Sequence, residues 1–514
     1  MLLKAKNLKV YAGGKRIVIL NEDDAEKLGT RMLTRVKIEY KNKSITAIPN
    51  VTKTLVEKGF IGLYEEVSSA LKIKDNEEVN VSLAPYPESL NFIKKKLKGR
   101  KLEYEEFYKI VKDVVDGNLS ESEISSFVVA LHSFGLDLNE AANLSLAMVE
   151  TGEKLDLKRK TVLDKHSIGG AIGDKTSMLL VPIIASLGYT IPKTSSRAIT
   201  SPAGTADKVE NLMPVDLEIE EMKRVVEKTN GCLVWGGALH LAPADDIFIK
   251  IEYPLEIDPL LFPSIMAKKK AVGATHLVID IPTGRGTKIK TIGDAQILAK
   301  DFIALGNLLN IKVNAAITYG EQPIGNAIGA SLEAREALEI LMRRKIVEDQ
   351  IDKVTSIAEI LLGMIGKKYG KEIARKVLES GKAEKKMREI IKEQGGNPNI
   401  KPEDIPIGKY TYDFLAEEDG FVIWIDNGGF ASLARAAGSP IFKGSGVYLY
   451  KKVGDAVKKG EKIFTIYAEK ESKLEEALKI MKEETIIGIG KKRKMLIQKV
   501  EDKFLAKKRF ILER

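Results

Sequence analysis

The sequence predicts a multidomain protein of the mixed α/β class. Its 514 residues exceed what one hydrophobic core organises, so roughly three to four domains are expected. Residues 161–318 alternate candidate strands and helices, the pattern of a parallel sheet covered by helices. We therefore expect a β-barrel-like module at 1–85, a helical domain at 86–160, a central parallel α/β domain at 161–400 and a C-terminal α+β domain at 401–514.

The first unit is predicted from short runs of apolar and β-branched residues. Candidate strands lie at residues 8–11, 17–20, 36–40, 44–48 and 79–83. Between the second and third of them, Asn21 can cap a short helix that Gly29 ends. The pattern resembles a double-psi β-barrel, and we expect a role in packing or assembly rather than in chemistry.

Helical periodicity dominates the second unit and returns between the strands of the third. Apolar residues at helical spacing in 107–115 and the capping-box pattern Ser120-Glu-Ser-Glu123 each predict a helix. Further helices are predicted at 178–187, 218–228, 292–309 and within 332–393, and further strands at 161–163, 189–191, 278–281 and 312–317.

The C-terminal unit follows a polar linker at 395–399. Residues 446–464 resemble the turn-and-strand pattern of biotinyl- and lipoyl-type barrels. A carrier domain of that type needs a modifiable lysine at a hairpin tip, such as Met-Lys-Met or Asp-Lys-Ala, and this segment has no such tip. We therefore expect barrel-sandwich-like strands that serve only as scaffold.

Composition argues against several classes of function. The net charge is +10, but 82 Lys and Arg residues are dispersed among 72 Asp and Glu, so nucleic-acid binding is not expected. No apolar run approaches the ~18 residues of a membrane span, and no signal peptide is evident, so we expect a cytoplasmic protein without membrane contact.

The counts of particular residue types give three further expectations. A single cysteine, Cys232, fits a reducing compartment. Four histidines without carboxylate clusters at ligand spacing predict no metal site. A composition rich in Lys and Glu indicates a thermophilic source.

The strongest functional signal is the glycine-rich segment from Lys165 to Ser177. It reads Lys-His-Ser-Ile-Gly-Gly-Ala-Ile-Gly-Asp-Lys-Thr-Ser and leads into an apolar helix. Three glycines let the backbone aim several N–H groups at one point, where the helix start adds positive potential. Lys165, Ser167 and Ser177 add a cation and hydroxyl donors. The segment predicts a phosphate site unlike the Walker loop, with an ordinary glycine-rich turn as the alternative.

A second loop, residues 194–207, is rich in hydroxyl groups. Its six Ser and Thr residues and Arg197 suit sugar and phosphate oxygens. Both loops follow candidate strands, so we expect them to share a cleft at the carboxyl ends of a parallel sheet. The alternative is a solvated loop in which Thr205 or Asp207 caps the next helix.

A third cluster surrounds Asp258. Its neighbours are apolar, a setting that raises the pKa of a carboxyl group and keeps it available as a proton donor. Ser264 and Lys268 lie four residues apart and so share one helix face, and one lysine of the run 268–270 is expected to face inward. A simple helix-capping role for Asp258 stays open.

Together these motifs resemble those of the thymidine/pyrimidine-nucleoside phosphorylase family, over residues 102–514. The matching segments are 165–177, 195–207, 241–245, 264–268 and 321–336. Within that family the archaeal enzymes that act on AMP are the most similar, because the pyrimidine enzymes lack an N-terminal β-module.

Two departures from the pyrimidine enzymes favour a nucleotide substrate. Those enzymes carry an arginine that reads the base, whereas this chain has no arginine between Val225 and Gly284. The loop after the strand at 276–281 carries Arg285 and Lys288 on a Gly-Arg-Gly turn, where the nucleoside enzymes have a small uncharged loop. A substrate that brings its own phosphate would account for this charge.

The resemblance implies phosphorolysis of AMP to adenine and ribose 1,5-bisphosphate, with inorganic phosphate as co-substrate and no cofactor. It implies Asp258 as the general acid, with His166 as the alternative. The AMP-binding residues implied are Gly170, Ser196, Arg197, Ala198, Ile199, Thr200, Ser201, Thr205, Ser264 and Lys288. Phosphate would be bound by Lys165, Ser167 and Ser177. Lys268 and Arg285 are further candidate residues of the site.

The family also implies a homodimer or a higher homo-oligomer, formed through the helical domain. Two other functions stay open on the sequence. One is phosphorolysis of unphosphorylated pyrimidine nucleosides on the same fold. The other is non-catalytic nucleotide binding.

Overall fold

The N-terminal segment forms a closed barrel in a computed structural model that describes residues 1–30, 34–198 and 201–491. Its elements are β1 (Leu2–Asn7), β2 (Ile17–Asn21), α1 (Glu22–Leu28), β3 (Arg35–Tyr40), β4 (Lys43–Thr52), β5 (Phe60–Leu63), α2 (Glu65–Leu71) and β6 (Glu78–Ala84). The strands follow the order β1-β5-β2-β4-β3-β6. Asn21 caps α1 and Gly29 ends it, as predicted.

One predicted strand of the barrel was wrong. Residues 8–11 are not a strand, and the first strand is instead Leu2–Asn7, where exposed and buried side chains alternate. Lys9 has φ +54, which takes the backbone out of the extended region just where the strand was expected. The short strand Phe60–Leu63 was missed, since four residues that include a glycine carry little β signal.

Four helices form the second segment and share one core. They are α3 (Ser89–Lys96), α4 (Tyr104–Val115), α5 (Glu121–Phe134) and α6 (Leu138–Glu150). The predicted capping box at Ser120 and Glu123 begins α5. Phe107 and Phe127 pack edge to face in this core. The amine of Lys96, also buried, lies 2.7 Å from the carboxylate of Glu140 and joins α3 to α6.

The central segment is a parallel sheet with helices packed against it. Its elements are β7 (Leu163–Ser167), α7 (Thr176–Ser186), β8 (Ile191–Ser195), α8 (Thr205–Val209), α9 (Ile219–Thr229), β9 (Gly231–Trp235), α10 (Pro243–Leu255), α11 (Leu261–Ala271), β10 (His276–Thr283), α12 (Ile292–Leu308) and β11 (Lys312–Tyr319). β10 pairs in parallel with β7 and β11, and β8 pairs in parallel with β9. A parallel bridge from Val162 to Thr190 joins the two groups, so these strands all end at one edge.

The described part of the remaining segment combines six α-helices with two antiparallel sheets. Its elements are β12 (Ala327–Ile328), α13 (Ala330–Leu341), α14 (Glu348–Met364), α15 (Gly370–Glu379), α16 (Lys382–Glu393), β13 (Tyr410–Leu415), β14 (Gly420–Ile425), α17 (Asn427–Ala436), β15 (Gly446–Leu449), β16 (Ala456–Val457), β17 (Lys462–Ala468), α18 (Glu471–Glu483) and β18 (Ile487–Gly490). The sheets have the orders β12-β15-β17-β13 and β16-β14-β18.

The chain is thus a mixed α/β protein of several domains, as predicted, while the individual domain boundaries stay predictions. The barrel and the C-terminal sheets each contain a hydrophobic core. Two larger cores join the helical segment to α9–α11 and the central sheet to α13–α16. Within the described ranges, no helix is both long and apolar enough to cross a membrane.

The Lys96–Glu140 pair should be a large contributor to stability. Lys96 is only 2% exposed. Lys96→Met leaves the Glu140 carboxylate buried without its cation, and we expect the free energy of unfolding to fall by about 3–5 kcal/mol. Denaturation in guanidinium, followed by circular dichroism, measures the loss. The control is Lys95→Met, whose pair with Glu106 is more exposed and should contribute about 1 kcal/mol or less. Equal losses in the two variants would contradict the assignment.

Candidate active site

Three loops meet at the carboxyl edge of the parallel sheet. A Cβ atom on Gly170, in the loop after β7, would lie 2.9 Å from the backbone nitrogen of Lys288, in the loop after β10. The Lys208 amine on α8, which follows the loop after β8, donates to the Asp174 carbonyl at 2.9 Å. The three loops therefore line one cleft, which is the arrangement expected after parallel strands.

The glycine-rich segment begins later than the sequence indicated. β7 runs to Ser167, so Lys165, His166 and Ser167 are strand residues and not part of the loop. The strand predicted at 161–163 is therefore displaced by two to four residues. Gly169, Gly170 and Gly173 follow with φ of +84, +99 and +73, the left-handed region that glycine tolerates. Ser177 is buried in the first turn of α7.

Lys165 belongs to a buried cluster of four charges beneath this loop. Its amine lies 3.2 Å from Asp280 and 3.8 Å from Asp174. Lys353 on α14 lies 3.0 Å from Asp280 and 3.1 Å from Asp174, and Thr318 donates to Asp280 at 2.7 Å.

The cluster is electrically balanced. Burial alone would lower the pKa of Lys353, but Asp174 and Asp280 raise it above its ordinary value. The same two lysines overcome burial and hold the pKa of both carboxyl groups low. Two cations and two anions therefore sit at the base of the cleft. A direct contact from Lys165 to phosphate stays a prediction.

In the second loop, the guanidinium of Arg197 binds carboxylates of this chain. It lies 2.8 Å from Glu210, 3.3 Å from Asp216 and 3.4 Å from Asp207. The guanidinium is thus engaged by carboxylates within the chain, and the expected contact from Arg197 to AMP stays a prediction. β8 runs from Ile191 to Ser195, so the strand predicted at 189–191 overlaps it only at residue 191.

The rest of this loop is ordered by the start of α8. Asp207 accepts hydrogen bonds from the backbone nitrogens of Ala198 and Gly204, at 2.7 and 2.8 Å. Ser196 accepts from the nitrogen of Ala206 through its carbonyl, and Ser201 donates to the carbonyl of Ala203. Thr205 is the first residue of α8. The predicted site residues Ile199 and Thr200 lie outside the described residues.

Asp258 faces the third loop. One of its carboxylate oxygens lies 3.6 Å from the amine of Lys288, and the two side chains are 49% and 45% exposed. Partial burial raises the pKa of Asp258, an effect that Lys288 opposes. The side chain of Asp258 makes no capping hydrogen bond to α11, whose first residue is Leu261. This geometry does not support the capping alternative.

The pKa of His166 is shifted in the opposite direction from that of Asp258. Burial lowers its pKa well below the ordinary value, and Lys269, Lys193 and Lys165 lower it further. The ring is therefore uncharged at neutral pH and lacks the acidic imidazolium proton that a general acid would donate.

The lysine run on α11 faces inward, as expected for at least one member. Lys268 pairs with Asp245, and Lys269 lies 2.7 Å from Asp164 with both side chains buried. Lys270 donates to the carbonyl of Leu309. Ser264 is partly buried one turn before Lys268. Arg285, in the loop with Lys288, is exposed and lies 5.6 Å from the ring of Trp424.

Two residues of this region carried no sequence signal. Glu252 on α10 is buried, and burial together with Asp258 raises its pKa to about 8, so it is protonated at neutral pH. It accepts a hydrogen bond from the backbone nitrogen of Leu260. Lys353 completes the buried cluster from α14 but lies in no motif. The sequence did not reveal these two residues because their surroundings are set by tertiary contacts and not by a local motif.

Three segments of the chain match described protein families. Residues 90–152 match "Glycosyl transferase family, helical bundle domain" and residues 159–384 match "Glycosyl transferase family, a/b domain". Residues 421–488 match "Pyrimidine nucleoside phosphorylase C-terminal domain". Fold and site thus define a glycosyl transferase of the helical-bundle and α/β type.

Relatives that match along nearly the whole chain identify the family within this class. The AMP phosphorylase of Thermofilum pendens is 50% identical over 100% of both chains. Those of Thermococcus kodakarensis and Pyrococcus furiosus are 50% and 51% identical, over 93% and 92% of this chain and 96% and 95% of theirs. The chain belongs to the AMP phosphorylase family. These three sources are thermophilic archaea, in line with the composition.

A more distant structure shares the fold alone. Anthranilate phosphoribosyltransferase from Thermus thermophilus has a TM-score of 0.50 and 19% identity, and the match covers 59% of this chain and 98% of that one.

Gly170 should be needed as glycine because the two loops touch there. Gly170→Ala forces φ +99 on a residue with a Cβ atom and drives that atom against the Lys288 backbone. Displacements of about 1 Å in a reacting site can cost 100-fold, so we expect kcat/KM for AMP to fall by roughly tenfold to hundredfold. Gly169→Ala is the matched control, since φ is +84 but no atom lies within 4 Å of the added Cβ. Equal losses would assign the effect to backbone strain.

Proposed function

We propose that this chain catalyses the phosphorolysis of AMP, giving adenine and ribose 1,5-bisphosphate. The observation that carries the proposal is about 50% identity to AMP phosphorylases over essentially the whole chain. The site supports it chemically. Three chemical groups lie together at one cleft. They are a glycine-rich backbone that can hold an anion, a carboxyl group with a raised pKa, and a cation suited to a second phosphate.

The reaction needs a positioned nucleophile and a neutralised leaving group. In the proposed mechanism an oxygen of inorganic phosphate forms the bond to C1′ as the bond from C1′ to N9 of adenine breaks. The electron pair of the broken bond passes to the base, and the carboxyl group of Asp258 supplies a proton at N7. The backbone around Gly170, with Lys165, Ser167 and Ser177, holds the phosphate by orientation and charge.

AMP is favoured over an unphosphorylated nucleoside by the charge around the cleft. Lys288 stands beside Asp258 and Gly170, where it can bind the 5′-phosphate, with Arg285 in the same loop. The remaining AMP contacts are assigned to Gly170, to residues 196–201, and to Thr205 and Ser264, with Lys268 as a further candidate. The proton donor is assigned to Asp258 and not to His166, because a histidine whose pKa is well below the ordinary value is rarely protonated at neutral pH.

Several finer assignments belong to the same proposal. The enzyme is cytoplasmic, uses no cofactor or metal, and binds neither nucleic acid nor membrane. It assembles as a homodimer or larger through the helical domain. The N-terminal barrel has double-psi connectivity and the C-terminal sheets form a barrel-sandwich scaffold.

A substrate panel tests the function directly. AMP, CMP, UMP, adenosine, uridine and thymidine are each incubated with and without phosphate, and the free bases are separated by chromatography. We expect adenine release from AMP that requires phosphate and exceeds release from adenosine. Faster cleavage of uridine or thymidine would favour the pyrimidine enzyme. Binding of AMP without release of any base would favour the non-catalytic alternative.

Asp258→Asn should separate catalysis from binding. The amide keeps the size and the hydrogen-bonding groups but has no proton to donate, so we expect kcat for AMP to fall by about 10²–10⁴ with little change in AMP affinity. A substrate analogue whose base departs without protonation should lose much less. Asp301→Asn is the control, since Asp301 lines the same cavity as Asp258 but belongs to α12. Near-normal turnover by Asp258→Asn would return Asp258 to a structural role.

A further inference from the structure

Asp258 and Lys288 form an ion pair between the proposed proton donor and the cation proposed to bind the substrate's 5′-phosphate. Partial burial raises the pKa of Asp258, but the nearby cation of Lys288 opposes that rise and favours the carboxylate form. The carboxylate form cannot protonate a leaving base. This opposition disappears if the pair is broken before the chemical step.

The geometry of this pair differs from that of the other lysines around the cleft. Lys165, Lys268 and Lys269 all contact carboxylates that are at least 87% buried. The Lys288 amine instead lies 3.6 Å from Asp258, beyond hydrogen-bond length, and both side chains are nearly half exposed. Lys288 also follows a flexible Gly-Arg-Gly turn, in which Gly284 and Gly286 have φ of +132 and +86. Such a pair is weak and exchangeable.

We propose that Lys288 is a removable counter-ion of Asp258, and that the 5′-phosphate of the bound nucleotide draws the Lys288 amine away and thereby lets Asp258 take up the proton that it later donates. The proposal rests on the proposed function and deepens it. Lys288 then acts as a positioning residue for the proton, and the substrate's own phosphate determines specificity in turnover as well as in binding.

Electrostatics favours the exchange in two ways. A phosphate dianion makes stronger charge-assisted hydrogen bonds with an amine than a single half-exposed carboxylate does. Once bound, the dianion removes the cation that lowers the pKa of Asp258 and adds negative charge nearby, and both effects raise that pKa.

The other charges facing Asp258 do not oppose this change. They are Asp245 and Glu252 on α10, Lys268 on α11, and Asp137 and Asp301 across the cavity of 670 Å³ that Asp258 lines. Glu252 is neutral below about pH 8, and Lys268 is engaged by Asp245. Only Lys288 among these groups is placed to exchange its partner.

Proton balance follows directly. AMP binding raises the fraction of molecules in which Asp258 holds a proton taken from solvent. In the molecules that react, Asp258 passes this proton to N7 as the glycosidic bond breaks and is left as a carboxylate. When the phosphorylated sugar departs, Lys288 returns to Asp258. An unphosphorylated nucleoside leaves the pair intact, so its base departs without a ready proton.

Proton uptake on binding tests the proposal without any turnover. AMP is titrated calorimetrically into the full-length enzyme in phosphate-free buffers of different ionisation enthalpy, across pH 5.5–8. The uptake that depends on Asp258 is the difference between the wild type and Asp258→Asn. A rise of about one unit in the pKa of Asp258 gives a maximum uptake of roughly half a proton per AMP. Adenosine should give none.

Variants of the loop distinguish an exchange of partners by Lys288 from a general effect of positive charge near the site. Lys288→Met should lose most of the uptake, and Lys288→Arg should restore it. Lys290→Met is the matched control, because Lys290 is an exposed lysine of the same loop and its loss should leave the uptake unchanged. Equal uptake by the wild type and Asp258→Asn, or full uptake by Lys288→Met, would overturn the proposal. Failure of AMP phosphorolysis itself is seen separately, as the absence of adenine release when phosphate is added.

Discussion

The cleft depends on the two carboxylates that hold Lys165 and Lys353 at its base. Asp280 ends up between both amines because β10 is the central strand of its sheet, and Asp174 comes from the end of the glycine-rich loop. Four buried charges in contact are stable only as a complete set, since removing one leaves another without a partner in a medium of low dielectric. The set therefore fixes the loop, the sheet and α14 relative to one another.

This anchoring explains how a glycine-rich loop can be a precise site. Left-handed glycines give the loop freedom, while Asp174 pins its far end and the backbone of Lys288 confines it at Gly170. The rigid part of the site lies below the cleft and the exchangeable charges lie at its mouth. Binding groups thus sit on a fixed base, and the proton-donating group sits where substrate can alter its surroundings.

Much of this could be predicted from the sequence, because local patterns encode it. The caps at Asn21 and Ser120 and the apolar helix after Lys175 follow from short-range rules. Likewise, loops after parallel strands must meet at one edge.

Local patterns do not encode which side chains pair with each other in the folded protein. The sequence identifies Arg197 as a residue of the type that binds sugar or phosphate, but it does not reveal that Glu210 and Asp216, further along the chain, pair with it. Local sequence patterns also did not predict where the strands end. Polar residues such as Lys165 are poor strand formers on propensity, and pairing with β10 overrides that preference.

The two-residue strand β12 ties the site to a part of the chain that is synthesised much later. Ala327 and Ile328 pair with Tyr448 and Val447, while the neighbouring Ile324 donates its backbone N–H to Ile172 in the glycine-rich loop. On the ribosome, the loop emerges long before the strand that completes its support. A nascent or truncated chain that ends before Gly446 lacks the strand with which β12 pairs, so this side of the cleft is without that support.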